Sequence, residues 1–213
     1  MDLGFQSLND EDAMVITKST RRGTRLDRIV VPQSGTSLVA SGGGSVTLRA
    51  LEDGGVRVEP DLGVGAMLLR VDEPTELYDG DVLRAGMQWM SFHAGRNGRP
   101  GRLCLLDERG GIELGITLRG QALSLGREAG DVVMPWDDAL AELHMQVLVR
   151  RDVTFVQDLA TASGTWVVVR KGEVLTSGSV IAIDGRLLRV STPPRRSARG
   201  EDHTGPTKVF AAA

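Results

Sequence analysis

The chain has 213 residues, 25 Lys and Arg against 28 Asp and Glu, three His and one Cys. A single cysteine excludes a disulfide scaffold and a thiolate zinc site, and His93, His144 and His203 are too dispersed for a histidine-rich metal site, so no cofactor or metal is expected. A net charge of −3 gives no general basic surface for nucleic acid, no run approaches the ~18 apolar residues of a transmembrane helix, and Met1-Asp2-Leu3-Gly4-Phe5 lacks the regions of a signal peptide, so the expectation is a soluble, cytoplasmic protein without membrane insertion.

In chain order, residues 1–19 are polar and weakly patterned, with an acidic turn at Asn9–Asp12, and read as a flexible N-terminal arm. From about residue 25 short runs rich in Val, Ile and Leu alternate with Gly, Asp and Pro. They include Arg28–Val31, Ser45–Leu48, Val56–Val58, Met67–Val71 and Val82–Leu83. The second half continues with Leu103–Leu106, Ile112–Leu118, Asp131–Met134, Met145–Val149, Val153–Val156, Trp166–Val169, Val180–Ile183 and Leu187–Val190. Turn signals every 8–12 residues or so between such runs predict an all-β sandwich or barrel. One short helix is predicted over Asp137–Leu143. The 27 glycines, against the roughly 15 of average usage, supply turns to short strands. Gly95–Gly101, with three Gly and one Pro, reads as a linker. It divides a module over 20–94 from one over 102–191, and the polar, Pro-rich residues 192–213 read as a disordered tail.

The halves repeat one another. Leu175-Thr-Ser-Gly-Ser-Val-Ile181 lies 98 positions after Leu77-Tyr-Asp-Gly-Asp-Val-Leu83, and Val190 lies 98 after Phe92. Gly126 and Pro135 pair with Gly23 and Pro32 at an offset of 103, a drift that loop insertions would produce. The second half carries Gly126-Arg127, then Leu140-Ala-Glu-Leu-His144, then Asp158-Leu-Ala-Thr-Ala-Ser-Gly164-Thr165, then Thr176-Ser-Gly178. In order and spacing over roughly 110–190 this resembles the forkhead-associated (FHA) domain, with its Gly-Arg, Ser-x-x-His and Asn-Gly motifs. The resemblance implies two tandem FHA-like β-sandwich domains of SMAD/FHA type with flexible termini, the first degenerate.

It further implies phosphothreonine-peptide binding by loops at one end of the sandwich. A phosphate of charge about −1.5 to −2 needs a cation and several donors. Arg127 takes the position of the family's phosphate- or peptide-contacting arginine, while Gly126 and His144 take structural, loop-bracing positions. The phosphate-binding serine falls on Ala141 and the peptide-gripping asparagine on Ser163. Thr161, Ser163 and Gly164 remain as candidate contacts. Asp137, Asp138 and Glu142 would repel phosphate if they faced the site. Losing two charge-assisted hydrogen bonds of about 1.5–3 kcal/mol each weakens a ligand by roughly 10²–10⁴-fold, so phosphate recognition is expected to be weak. In the first half Arg127 aligns with Thr24, and Ser37 and Ser41 have no following histidine. Trp136 and Trp166 are expected near the binding end, packed in the core or exposed as a hot spot. Cys104 reads as a buried thiol, and Gly42-Gly-Gly-Ser45 lacks the ending of a phosphate loop. In the tail, Thr207 with Phe210 three residues on is a candidate phosphothreonine ligand for an FHA domain.

No catalytic constellation has supporting context. The function expected is therefore a non-enzymatic adaptor whose partners are other proteins, with weak phosphothreonine recognition by the second module. The competing reading is a scaffold that binds partners without phosphate.

Overall fold

A computed structural model describes residues 14–18, 27–39, 44–61, 67–183 and 185–191. These residues are all-β. The first half supplies β1 (Met14–Lys18), β2 (Asp27–Val31), β3 (Thr36–Val39), β4 (Ser45–Ala50), β5 (Val56–Pro60), β6 (Leu68–Arg70), β7 (Thr75–Leu77), β8 (Val82–Ala85) and β9 (Gln88–His93). The second supplies β10 (Arg102–Leu106), β11 (Ile112–Thr117), β12 (Ala122–Gly126), β13 (Val132–Val133), β14 (Met145–Arg150), β15 (Val153–Asp158), β16 (Thr165–Val168), β17 (Val174–Leu175), β18 (Val180–Ile183) and β19 (Arg186–Ser191). The cause is visible in β4, where buried Val46, Leu48 and Ala50 alternate with the less buried Ser45, Thr47 and Arg49. That two-residue period is the one a pleated strand over a core requires.

The strands form three sheets. A ten-stranded sheet runs β11-β10-β9-β8-β16-β6-β18-β19-β1-β2; a five-stranded sheet runs β13-β12-β14-β15-β7; a four-stranded sheet runs β17-β5-β4-β3. Two apolar cores result. The first contains Leu77, Leu83, Met90, Phe92, Leu103, Leu125, Met145, Val156 and Val167. The second contains Val31, Val46, Leu48, Val58, Leu175, Ile181, Leu188 and Val190.

Neither core belongs to one half of the chain. The first joins β7–β9 to β10–β16, and the second joins β1–β5 to β17–β19. The 98-residue repeat persists, but its copies exchange their final strands. At the seam β6 pairs antiparallel with β16, Leu69 opposite Val167. Met67 lies in the second core and Val71 in the first; Val167 lies in the first and Val169 in the second. Each chain passage therefore changes cores within a few residues. The bonds across the seam match: Val71 N–H donates to Thr165 O at 2.9 Å and Val169 N–H to Met67 O at 2.8 Å. So do the turns at the repeat positions, where Gly80 N–H donates to Phe92 O at 2.8 Å and Gly178 N–H to Val190 O at 2.9 Å. Both glycines have positive φ, 89° and 99°, which an L side chain adopts at a cost.

An ion pair locks one crossing. Arg170 Nε donates to Asp81 Oδ1 at 2.8 Å, Nη2 donates to Asp81 Oδ2 and to Glu76 O, and the guanidinium lies 4.6 Å from the centre of the Tyr78 ring. The Asp81 carboxylate holds the Arg170 guanidinium above its ordinary range.

Several expectations change. Gly95–Gly101 does not separate two cores: β9 and β10 on its two sides pair directly, Leu103 opposite Phe92, and both residues lie in the first core. Modules at 20–94 and 102–191 are accordingly not the packing units. Residues 14–18, assigned to the flexible arm, form β1, paired with β19 and β2. Asp137–Leu143 is a series of turns, held by Asp137 N–H to Met134 O and Leu140 N–H to Asp137 O, since seven residues offer too little helix to outweigh the cost of nucleation. The offset of 103, which sets β2 against β13, does not describe the fold: β2 lies at the edge of the ten-stranded sheet opposite to that held by β11, and β3 holds in the four-stranded sheet the place that β12 holds in the five-stranded one. Thr24, Ser41, Gly42–Gly43 and the tail with Thr204 and Thr207 lie outside the described residues.

Candidate functional site

The connection from β12 to β14 spans residues 127–144 and includes β13, whereas its counterpart from β3 to β4 spans only 40–44. The elaborated loop therefore belongs to the first core alone. It begins at Gly126, where a Cβ would stand 2.1 Å from Glu142 O and 2.6 Å from Ala129 O. Only glycine lets the two limbs of the loop touch. The limbs are then joined by backbone bonds: Arg127 N–H to Ala141 O at 2.8 Å and Ala129 N–H to Glu142 O at 2.9 Å. At the loop's near end Asp131 accepts from the Ser124 hydroxyl and amide at 2.7 and 2.8 Å, and these bonds hold its carboxyl below the usual range.

His144 is fully buried and spans two loops. Its Nδ1 accepts from Ala141 N–H at 3.1 Å. That assigns the ring proton to Nε2, which donates to Gly164 O at 3.2 Å. The loop after β15 is organised around Asp158, which accepts from Thr161 Oγ1 and Thr165 Oγ1 at 2.8 Å each and from Thr161 N–H. Thr161 Oγ1 in turn accepts from Gly164 N–H at 3.0 Å. Gly164 has a φ of 73°, a turn conformation suited to glycine.

The predicted residues thus separate by role. Gly126, His144, Thr161 and Gly164 come together as the loop scaffold. Thr161 is buried with its hydroxyl already bonded, and Gly164 N–H is already bonded to it, so neither offers a ligand the contact expected of it. Ser163 is exposed, and its hydroxyl donates to Ala139 O at 2.8 Å, tying one loop to the other. The Arg127 guanidinium is partly exposed and donates twice to Glu128 Oε1, at 3.1 and 2.7 Å. Asp137, expected as a phosphate-repelling acid, is buried: it accepts from Met87 N–H, Gln88 Nε2 and Ala139 N–H at 2.8, 2.9 and 3.0 Å. Burial works to raise its pKa, and these hydrogen bonds outweigh burial, leaving the carboxyl below the usual range. Asp138 and Glu142 are exposed.

Other side chains complete the site without a local sequence signal. Arg70 Nη2 donates to Thr161 O at 3.0 Å, and a Cβ on Gly164 would lie 3.0 Å from Arg70 Nε. Arg70 arrives from β6, 91 positions away, so only the strand exchange could reveal it. Trp166 donates its indole N–H to Ser163 O at 2.9 Å, while Trp136 stands 71% exposed on the loop beside Met87, itself 68% exposed. Cys104 is buried, and among the described residues no cluster of three or more His, Cys, Asp or Glu has metal-binding geometry. No helix among them is long and apolar enough to cross a membrane.

No protein-family model, curated protein or solved structure matches the chain.

Proposed function

We propose that the chain is a non-catalytic, cytoplasmic protein-interaction protein of FHA-like type, whose loops at 127–144 and 158–166 bind a peptide segment of another protein. The observation carrying this reading is the buried His144 bridge, which ties the 127–144 loop to the 158–166 loop, with Arg127 partly exposed at the start of the first. A rigid scaffold with ordered loops suits recognition, because little conformational entropy is left to lose on binding. Phosphothreonine adds to affinity through Arg127, whose planar guanidinium can leave Glu128 for a phosphate.

The phosphate contribution is small. Ala141 supplies no hydroxyl, Thr161 spends its own on Asp158, and Ser163 donates to Ala139 O. Those same facts favour the second reading, a scaffold that binds its partner without phosphate. Titration of the full chain with degenerate phosphothreonine and threonine peptide libraries decides between them. The first reading expects a phosphate-dependent signal of up to about tenfold that Arg127→Ala abolishes. A signal identical with and without phosphate assigns the scaffold role.

A further inference from the structure

The solvent side of the ten-stranded sheet carries an ordered row of aromatic and cationic side chains. Leu83, Ala85, Met90 and Val167 point into the first core, so their strand neighbours Arg84, Trp89 and Trp166 point the other way. The register places Trp89 opposite Arg84, Arg84 opposite Trp166, and Trp166 opposite Arg70. The row therefore reads Trp89–Arg84–Trp166–Arg70 across β9, β8, β16 and β6, and Leu106 of β10 closes it beyond Trp89. All five side chains are half-buried. The Arg84 guanidinium lies 5.7 Å from the centre of the Trp89 ring, and its Nε donates to Gly86 O at 3.1 Å. At the other end Arg70 and Trp166 hold the carbonyls of Thr161 and Ser163, so the row runs directly into the candidate site.

We propose that this row is a docking groove for an acidic, extended polypeptide segment continuous with the loop at 161–164. The proposal rests on the reading above only in taking the ligand to be a polypeptide. Charge complementarity points to the occupant. The row contains two guanidiniums on a chain whose net charge is −3, and Asp72, exposed at its end with Oδ1 3.6 Å from Arg70 Nε, is the partner a ligand carboxylate displaces. Arg84 and Arg70 stand two strands apart, about 10 Å, which is the span of three residues in an extended peptide. In a polyproline-II segment, with three residues per turn, side chains three positions apart share one face about 9 Å apart, so carboxylates at that spacing meet both cations while Trp166 lies under the stem between them. Each arginine keeps free donors after its carbonyl bond. A nucleic acid fits less well. One face of Trp89 is already covered by Arg84 and so is closed to a stacking base.

The test uses the full chain and four labelled peptides. Two contain Glu at every third position of a Gly-Ser frame and two are their Gln twins; one of each pair begins with phosphothreonine. Fluorescence anisotropy is expected to give roughly three- to tenfold tighter binding of Glu than Gln in both backgrounds, falling at high salt. A Glu preference without any phosphate effect sinks the phosphate reading and supports the groove. Arg84→Gln should remove the preference with an unchanged melting temperature, and Arg84→Glu should favour a Lys twin over the Glu peptide. Equal binding of Glu and Gln peptides, or a preference untouched by both variants, overturns the groove. So does tighter, Arg84-dependent binding of a single-stranded oligonucleotide of matched length.

Discussion

The Asp137 carboxylate is buried yet accepts three hydrogen bonds, from Met87, Gln88 and Ala139. It fastens the loop after β13 to the turn between β8 and β9, and so joins residues from both halves of the chain. With its pKa lowered on folding, the folded state binds fewer protons than the unfolded one. The stability it contributes is complete above the ordinary carboxylate pKa of about 3.9 and is lost as pH falls through the folded value. Asp137→Asn is therefore expected to cost about 1–3 kcal/mol at pH 7, because an amide nitrogen cannot accept from these donors. The deficit should shrink below about pH 4, where the wild-type carboxyl also protonates. Urea midpoints of both proteins from pH 3 to 7 check this, and a deficit independent of pH contradicts it. The acidic character of Asp137 was legible in the sequence. Its burial was not, because the donors at Met87 and Gln88 lie some fifty positions away.

At the scale of elements, Gly126 shows how a strand end dictates the loop that follows it. The 2.1 Å between a hypothetical Cβ and Glu142 O cannot be relieved by a side-chain rotation, since the obstacle is backbone. Gly126→Ala is expected to destabilise the protein by about 3 kcal/mol in chemical denaturation, and to weaken peptide binding through Arg127, whose amide is held against Ala141 O. A change below about 0.5 kcal/mol would mean that the limbs separate freely. The Gly-Arg and His motifs were visible as spacing, and the structure does bring Gly126, His144, Thr161 and Gly164 together. Thr161 and Gly164, however, serve the scaffold rather than a free ligand surface. A hydroxyl's type can be read from sequence; whether its hydrogen bonds are already spent depends on neighbours such as Asp158. The helix expected over Asp137–Leu143 failed for a related reason: seven residues are ordered here by tertiary bonds, not by local propensity.

For the whole molecule, the exchange of strands makes each core a joint product of both halves. Val71 and Val169 cross at the seam, and the Asp81–Arg170 pair holds one crossing closed. A chain cut at Asn97 should therefore give two fragments, 1–97 and 98–213, each holding part of both cores. Neither is expected to unfold cooperatively as a monomer. Mixed, they should form a one-to-one complex with a cooperative melt, because complementation restores Leu77 to Val156 and Leu175 to Val58 within their cores. Circular dichroism melts with sedimentation analysis test this; a cooperative monomeric melt of either fragment alone would show that the halves are self-sufficient.

The sequence by itself determined the all-β class, most strand positions and the 98-residue repeat. Each of these follows from local information: two-residue apolar alternation, turn chemistry, and short-range motif spacing. Only the tertiary structure decided which strands share a core, that Asp137 is buried, and that Arg70 and Trp166 extend the loop into a cationic row. Two similar repeats present similar strand edges and similar apolar faces, so the pattern within each copy is equally compatible with pairing to itself or to its twin. The choice is made by the course of the chain at residues 71–74 and 169–173, where each passage enters the other copy's core.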